Sequence, residues 1–178
     1  MGLEKGLKRV LFSEEAIQRR IEELGAEITR DYRGIKEPLL VVGLLRGVVI
    51  FLADLVRAID LPLEFDFITV SSYRDADSPG ELRLLKDLEE PVSGRDLLLV
   101  EDIIDTGKTL KFIQESLLSR SPRSLKTCCL IDKTPRREVD VRPDYIGFRL
   151  EEDKFLVGYG LDYAGLYRNL PYITALET

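Results

Sequence analysis

Three acidic residues and two threonines follow the most apolar run of the chain. Glu101, Asp102 and Asp105 come directly after Leu97 to Val100, and Thr106-Gly107-Lys108-Thr109 completes the segment. Backbone amides at a helix start bind phosphate, and hydroxyl groups can assist them. Nearby carboxylates would repel a phosphate ligand unless that ligand also carries hydroxyl groups or a divalent cation. The pattern therefore predicts a site for a sugar phosphate bound with magnesium.

Two other interpretations of this segment are weaker. The ending Gly107-Lys108-Thr109 also occurs in the P-loop, but that motif requires a glycine five positions before Gly107, where this chain has Asp102. The second interpretation is that these acidic residues only cap the end of a strand and the start of a helix, which is common for a single acidic residue. Three acids with two threonines in nine residues are poorly explained in that way.

Histidine is absent from all 178 residues. Ser-His-Asp and Cys-His triads, histidine-ligated zinc and HExxH proteolysis are therefore excluded in their usual forms, because each uses imidazole as a base or a ligand. The chemistry must rely on carboxylates, lysine, hydroxyl groups, backbone amides or a hard cation.

The composition is typical of one globular domain over residues 1–178. Hydrophobic residues make up 44% and charged residues 33%, with a net charge of −6 and no continuous basic block. Neither nucleic acid nor a membrane is therefore expected as a partner. The adjacent Cys128 and Cys129 lie in an apolar run, which favours buried thiols in a reducing compartment. We expect a cytoplasmic protein.

Apolar runs alternate with helical patterns along the chain. Ser13 is expected to begin an amphipathic helix that reaches about Tyr32. Alternating strands and helices predict an α/β fold with a central, mostly parallel sheet flanked by helices, whose ligands bind beyond the carboxyl ends of the strands. Further helices are predicted over 48–59 and from 110 to about 121, and strands over 39–45, 63–70, 97–100, 125–131 and 144–150. The strand over 97–100 is expected to end in Glu101 and Asp102.

Two segments lack this regularity. Residues 71–95 are polar and contain Ser78-Pro79-Gly80, and a connection of this length inside a compact domain is typical of a mobile flap. The tail over 151–178 is rich in tyrosine and glycine and is expected to form an irregular cap.

The segment from Val100 to Thr109 resembles the phosphoribosyl-pyrophosphate (PRPP) signature of the phosphoribosyltransferases. Its Glu-Asp-Ile-Ile-Asp-Thr-Gly form is similar to that of the hypoxanthine and hypoxanthine-guanine branch, and the resemblance extends from about Ser13 to Ile173. It implies a type I phosphoribosyltransferase fold with a small hood built from the chain-terminal segments. It also implies Mg²⁺ dependence and a homodimer or homotetramer.

The implied reaction is a step of purine salvage. The 5-phosphoribosyl group would pass from PRPP to N9 of a 6-oxopurine, hypoxanthine or also guanine, giving IMP or GMP and pyrophosphate. By the resemblance, Asp105 is the general base at purine N7, and Glu101 and Asp102 hold the ribose hydroxyls. The 5′-phosphate would be bound by Asp105, Thr106, Gly107, Lys108 and Thr109.

The resemblance also assigns residues around the leaving group. Arg46 and Gly47 match the pyrophosphate loop, which can hold a cis peptide, although Arg46 stands where the family usually has lysine. Ser72 and Tyr73 match the mobile loop that covers the reaction centre. The following Arg74 replaces a frequent glycine, which would stiffen the hinge.

The remaining assignments concern the base and the metal. Lys133 matches the lysine that donates to the purine 6-oxo group, which favours 6-oxopurines because the 6-amino group of adenine is itself a donor. Phe155 matches the stacking aromatic residue, with core packing as its alternative, and Leu156 matches the backbone reader of the base. Arg168 is expected to contact pyrophosphate, and the metal would be held by Asp162, Glu101 and Asp102.

Two alternatives remain open at this point. A phosphoribosyltransferase for adenine, orotate or uracil is disfavoured by Lys133 and Phe155. A PRPP-binding regulator that contacts nucleic acid would need a basic face. The candidates for such a face are Arg120, Arg123, Lys126, Lys133, Arg136 and Arg137.

Overall fold

The computed structural model describes residues 7–72 and 82–176. Three helices and nine strands lie in these ranges: β1 (Leu7–Phe12), α1 (Glu14–Asp31), β2 (Leu39–Leu45), α2 (Val49–Ala58), β3 (Leu63–Ser72), β4 (Leu82–Lys86), β5 (Asp96–Ile104), α3 (Lys108–Leu118), β6 (Ser124–Lys133), β7 (Tyr145–Leu150), β8 (Leu156–Val157) and β9 (Ile173–Leu176).

Six strands form the central sheet in the order β4-β3-β2-β5-β6-β7. All neighbouring pairs are parallel except β3 with β4. The carboxyl ends of β2, β5 and β6 therefore meet at one edge of the sheet, where ligands bind in open α/β folds. The predicted α/β architecture is confirmed.

The sheet is covered on both faces because neighbouring side chains on a strand point in opposite directions. Leu39 and Val41 of β2 pack in the cluster that contains the buried residues of α1 and α2. Leu40 and Val42 pack in the cluster that contains the buried residues of α3. This explains why the run at 39–45 is apolar without alternation, as expected of a strand buried on both faces.

The first helix begins where the sequence predicts. The amide of Ala16 donates to Oγ of Ser13 at 3.2 Å, and Glu14 and Glu15 occupy the first turn, where acidic side chains complement the helix dipole. The buried stripe consists of Ile17, Ile21, Leu24, Gly25 and Ile28.

A second sheet forms the hood in the order β1-β9-β8, with antiparallel pairs. The prediction of an irregular tail is therefore wrong for β8 and β9, and β1 is a strand that the sequence pattern did not indicate. These strands are short, and β1 and β9 come from opposite ends of the chain. No local pattern signals such a pairing.

The predicted flap is partly regular. Ser72 still belongs to β3, and residues 82–86 form β4, which pairs antiparallel with β3, so treating all of 71–95 as a loop was wrong. Leu82 and Leu84 alternate with charged or exposed neighbours, which is the pattern of an edge strand. Tyr73, Arg74 and the flap as far as residue 81 lie outside the described residues.

Cys128 and Cys129 are free and buried, as predicted. They are adjacent on β6 and belong to the two opposite core clusters. Burial raises the pKa of both thiols. Among the described residues, none of the helices has the length and apolar character needed to cross a bilayer.

Candidate active site

The acidic segment begins inside a strand and not after it. β5 continues to Ile104, paired with Asp132 of β6, so Glu101 and Asp102 lie within the strand. The sequence places Glu101 and Asp102 at the end of this strand, and the structure extends the strand to Ile104 because the hydrogen-bonded ladder continues beyond the apolar run. The two carboxylates are thereby held on a rigid element close to the edge where ligands bind.

Glu101 and Asp102 are neighbouring acidic groups shielded from water, since Asp102 is buried and Glu101 is half-buried. Burial raises the pKa of Glu101 well above its usual range, and the neighbouring Asp102 charge adds to this effect. Burial also raises the pKa of Asp102, against the opposing effect of bonds from Glu101 and from the amide of Ile103, which donates to Oδ1 at 2.9 Å. A pair of this kind favours a ligand that brings hydroxyl donors or a cation.

The turn after β2 lies directly against this carboxylate pair. A Cβ atom on Gly47 would stand 1.6 Å from Oδ2 of Asp102 and 3.4 Å from Nη1 of Arg168, so only glycine fits there. The peptide between Leu45 and Arg46 is cis, and the Arg46 side chain is exposed. The structure therefore brings Gly47, Asp102 and Arg168 together.

Within the tail over 151–178, Gly160 packs closely against the same turn. Gly160 has a φ of +97° and approaches so closely that a Cβ atom would lie 2.1 Å from the carbonyl oxygen of Gly47. Arg168 donates to the carbonyl of Gly160 at 2.5 Å and pairs with Asp162 at 2.7 Å. The other Asp162 oxygen accepts from the amide of Gly165 at 2.7 Å.

The loop between β5 and α3 surrounds a cavity of about 130 Å³. Gly107, with a φ of +84°, turns the chain into the helix. Lys108 does not line this cavity; its side chain is exposed and forms an ion pair with Glu138. The cavity is lined by Glu101, Ile103, Ile104, Asp105, Thr106, Gly107, Thr109 and Leu110.

A second cavity of about 220 Å³ contains the residues assigned to the purine. Lys133 is only 4% exposed, and its Nζ lies 2.7 Å from Asp153 and 3.7 Å from Asp105. Phe155 is 45% exposed and contacts Tyr163 edge to face at 5.5 Å, which contradicts core packing as its role. The lining is Asp102, Ile103, Asp105, Lys133, Arg136, Lys154, Phe155, Leu156, Leu161 and Asp162.

Asp105 belongs to both cavities. Its Oδ1 is buried and has no hydrogen-bond partner among the described residues, and Arg136 lies 3.5 Å from its other oxygen. A buried acceptor without a donor is costly to fold, so this oxygen is suited to receive a proton from a bound molecule.

The sequence did not reveal the charged partners of these residues. Asp153 holds Lys133, and that bond lowers the pKa of Asp153. Arg137 pairs with Asp132 at 2.5 Å behind the loop that follows β5. No spacing signal could have found them, because both pairs form between segments of ordinary charged composition.

The basic residues considered for a nucleic-acid face each have an acidic partner. Six ion pairs account for them, so they do not present a free basic surface. The pairs are Arg120 with Asp87, Arg123 with Asp96, Lys126 with Asp31, Lys133 with Asp153, Arg136 with Asp105, and Arg137 with Asp132.

The residues present fit a magnesium ion that the ligand helps to hold. Within the ranges 7–72 and 82–176, no cluster of three or more acidic or cysteine side chains forms a complete metal cage. Mg²⁺ usually binds one or two carboxylates together with substrate phosphates and water. The neighbouring carboxyl groups of Glu101 and Asp102, whose pKa values are raised, match this requirement, whereas both oxygens of Asp162 already accept bonds from the protein.

Comparison with known proteins identifies close relatives. Residues 11–164 match the family model described as the phosphoribosyl transferase domain. A protein of Staphylococcus epidermidis named hypoxanthine-guanine phosphoribosyltransferase is 49% identical over 176 residues, which cover 98% of this chain and 97% of the relative. A Staphylococcus aureus protein of the same name is 48% identical over 172 residues, 96% of this chain and 94% of the relative.

Solved structures agree with this finding. A hypoxanthine-guanine phosphoribosyltransferase from Bacillus anthracis superposes with a TM-score of 0.88 at 42% identity, covering 96% of this chain and 99% of that chain. A hypoxanthine phosphoribosyltransferase from Staphylococcus aureus gives 0.90 at 47% identity, covering 97% and 92%. The resemblance found in the sequence is confirmed.

Proposed function

This chain belongs to the phosphoribosyl transferase family, and from that membership we propose that it transfers the 5-phosphoribosyl group of PRPP to N9 of hypoxanthine or guanine. The products are IMP or GMP and pyrophosphate. The proposal places the enzyme in cytoplasmic purine salvage. Relatives named hypoxanthine-guanine phosphoribosyltransferase, which are 49% and 48% identical in sequence over nearly the whole chain, support the proposal.

The position of Asp105 carries the proposal. The cavity beside the α3 start fits a ribose 5-phosphate, and the cavity beside Lys133 fits a planar base. Asp105 lines both, so it stands where the bond between sugar and base would form. Its buried Oδ1 accepts no hydrogen bond from the described residues and lies 3.7 Å from the Lys133 ammonium, so it can accept the proton that the purine loses on attack.

The sugar phosphate is held in two ways. Glu101 and Asp102 accept hydrogen bonds from the ribose hydroxyls, which adds donors to a carboxylate pair whose pKa values are raised in the free protein. Amides and hydroxyls of the segment from Asp105 to Thr109 bind the 5′-phosphate at the start of α3. Lys108 contributes through its backbone, since its side chain pairs with Glu138.

The choice of base follows from Lys133. Its buried ammonium is held by Asp153 and faces the cavity that Phe155 and Leu156 also line. An ammonium has donors only, so it binds the oxygen of a 6-oxopurine and leaves the 6-amino group of adenine without a partner. Phe155 offers an exposed ring for stacking on the base.

The leaving pyrophosphate is assigned to the turn after β2. Gly47 and the Arg168 guanidinium lie side by side there, and the exposed Arg46 adds positive charge at the same turn. Mg²⁺ bound with the substrate at Glu101 and Asp102, and near Asp162, would neutralise the developing charge. The family resemblance assigns Ser72 and Tyr73 to covering the centre, which excludes water from the reactive sugar.

One assay tests the proposal. The purified protein is incubated with PRPP, magnesium and one base at a time, and nucleotide formation is measured for hypoxanthine, guanine, xanthine and adenine. We expect product with hypoxanthine or guanine and none with adenine. Activity with adenine would contradict the role of Lys133, and no product with any base would contradict the function itself.

Size-exclusion chromatography with light scattering tests the expected homodimer or homotetramer.

A further inference from the structure

Arg137 holds the back of the loop between β5 and α3. Its Nε donates to the carbonyl of Asp105 at 3.1 Å, and its Nη2 donates to the carbonyl of Ile104 at 3.3 Å. Nη1 donates to the carbonyl of Val141 at 2.9 Å. The remaining bond goes to Oδ1 of Asp132. Four of the five N–H groups of the guanidinium thus bond within the protein, and the side chain is 17% exposed.

The next residue continues the same set of contacts. The amide of Glu138 donates to the carbonyl of Thr106 at 2.9 Å. Three consecutive carbonyls, those of Ile104, Asp105 and Thr106, are therefore held by two consecutive residues. The loop also packs on the aliphatic part of Arg137, since a Cβ atom on Gly107 would lie 3.0 Å from its Cδ.

These contacts fix the direction of the loop amides. In a planar trans peptide the C=O and N–H groups point in opposite directions. The only cis peptide in the described residues is the one between Leu45 and Arg46. Holding the three carbonyls on the Arg137 side therefore turns the amides of Asp105, Thr106 and Gly107 to the other side. Those residues line the 130 Å³ cavity, whereas Arg137 does not.

We propose that Arg137 is a positioning residue for the 5′-phosphate, which orients the loop amides from behind without touching the ligand. The inference rests on the function proposed above. Because Asp132 neutralises the guanidinium, attraction between its charge and the phosphate is not the mechanism. Arg137 acts through the planar geometry of its guanidinium, whose N–H donors bond to different carbonyls at the same time. A lysine ammonium does not have this geometry.

A matched control exists at the opposite end of the same two strands. Arg123 pairs with Asp96 at 2.6 Å, and Asp96 is 6% exposed, as is Asp132. Replacing either arginine breaks one ion pair with a buried aspartate. Only the pair at Arg137 is connected to the loop that precedes α3.

The experiment compares Arg137→Lys with Arg123→Lys in the full chain. We expect Arg137→Lys to raise the KM for PRPP at least tenfold and to leave the KM for hypoxanthine within about twofold. Arg123→Lys should leave both KM values unchanged. If Arg137→Lys leaves the KM for PRPP within twofold, or raises both KM values equally, the proposal is wrong.

Two further measurements separate this inference from the proposed function and from misfolding. Calorimetric titration with ribose 5-phosphate needs no catalysis, and Arg137→Lys should weaken that binding about as much as it raises the KM. If the unsubstituted protein forms no nucleotide, the proposed function fails while this titration still tests Arg137. If Arg137→Lys does not fold, Asp132→Asn keeps the arginine but loosens it, and unchanged ribose 5-phosphate affinity in that variant would equally reject the proposal.

Discussion

Strand β5 carries acidic residues at both ends, in opposite electrostatic surroundings. At the amino end, Asp96 accepts two bonds from Arg123, at 2.6 and 3.0 Å, and one from Ser124 at 2.6 Å. These bonds lower the pKa of Asp96. At the carboxyl end, burial raises the pKa of Glu101 and Asp102, which lack comparable donors.

This difference in hydrogen-bond donors distinguishes carboxylates that stabilise the fold from carboxylates that are available to bind a ligand. A buried carboxylate with all its donors supplied by the protein contributes to folding, as Asp96 does. A buried carboxylate without them is destabilising in the free protein but is available to a ligand. The same strand therefore supports the fold at one end and a binding site at the other, and different variants are predicted to reveal each role.

The largest expected effect is that of Asp105→Asn at the carboxyl end. Loss of the proton acceptor should lower kcat by about 10²–10⁴-fold, the usual value of general-base catalysis, while the KM for PRPP changes little. Steady-state kinetics with hypoxanthine measures this effect. Asp140→Asn is the control, because it makes the same chemical change at an exposed aspartate that pairs with Arg142 and lines neither cavity, and it should leave kcat unchanged. Turnover close to that of the unsubstituted protein would remove Asp105 from the role.

Lys133→Met should lower kcat/KM for hypoxanthine by about 10–100-fold, which corresponds to the loss of one hydrogen bond from a charged donor. Methionine keeps the length and the burial of the side chain. The KM for PRPP should not change, since Lys133 lies in the second cavity only. A comparable loss in PRPP binding would show that Lys133 supports the whole site and does not read the base.

At the amino end, Asp96→Asn should reduce the free energy of unfolding by about 2 kcal/mol at neutral pH, without a change in kcat. The folded-state pKa of Asp96 is lowered, so its contribution is present above the ordinary aspartate pKa of about 3.9 and is lost as the pH falls through the folded value. Urea denaturation at several pH values tests this. A difference between the two proteins that stayed constant down to acid would contradict the assignment.

The smallest effect has the opposite sign. The pKa of Glu101 is raised in the folded state, so stability is greatest below the ordinary glutamate pKa and is lost as the pH rises through the folded value. Glu101→Gln should therefore stabilise the free protein by about 1 kcal/mol at neutral pH, or about 2–4 °C in Tm, with a weaker affinity for PRPP. Thermal melts at neutral and acid pH should show the gain only at neutral pH. A lower Tm in the variant at neutral pH would mean that the carboxylate is stabilised by the fold.

Local patterns predicted the central sheet well. The run at 39–45 forms β2 with the expected bounds, and the amphipathic stripe after Ser13 forms α1. Patterns failed where a strand has a remote partner or only one partner. Strand β1 pairs with β9 at the other end of the chain, and β4 is an edge strand within a polar stretch.

The same limit applies to the site. The residues from Glu101 to Thr109 are contiguous, so their types and spacing alone indicate a sugar phosphate. Arg137, which supports the loop, lies 32 positions after Asp105 in a segment that folds back against the loop. No sequence motif indicates this contact. The contact of Gly47 with Asp102 is likewise a product of the parallel order of β2 and β5.

The sequence by itself determined the chemical groups and the local elements, because an acidic segment at the end of an apolar strand and before a helix is encoded in adjacent residues. Only the tertiary structure decided which carboxylates are satisfied and which are left for a ligand. The physical reason is that burial and hydrogen-bond supply depend on neighbours brought together by the sheet. Asp96 and Asp102 are both buried aspartates on one strand, and their pKa values shift in opposite directions.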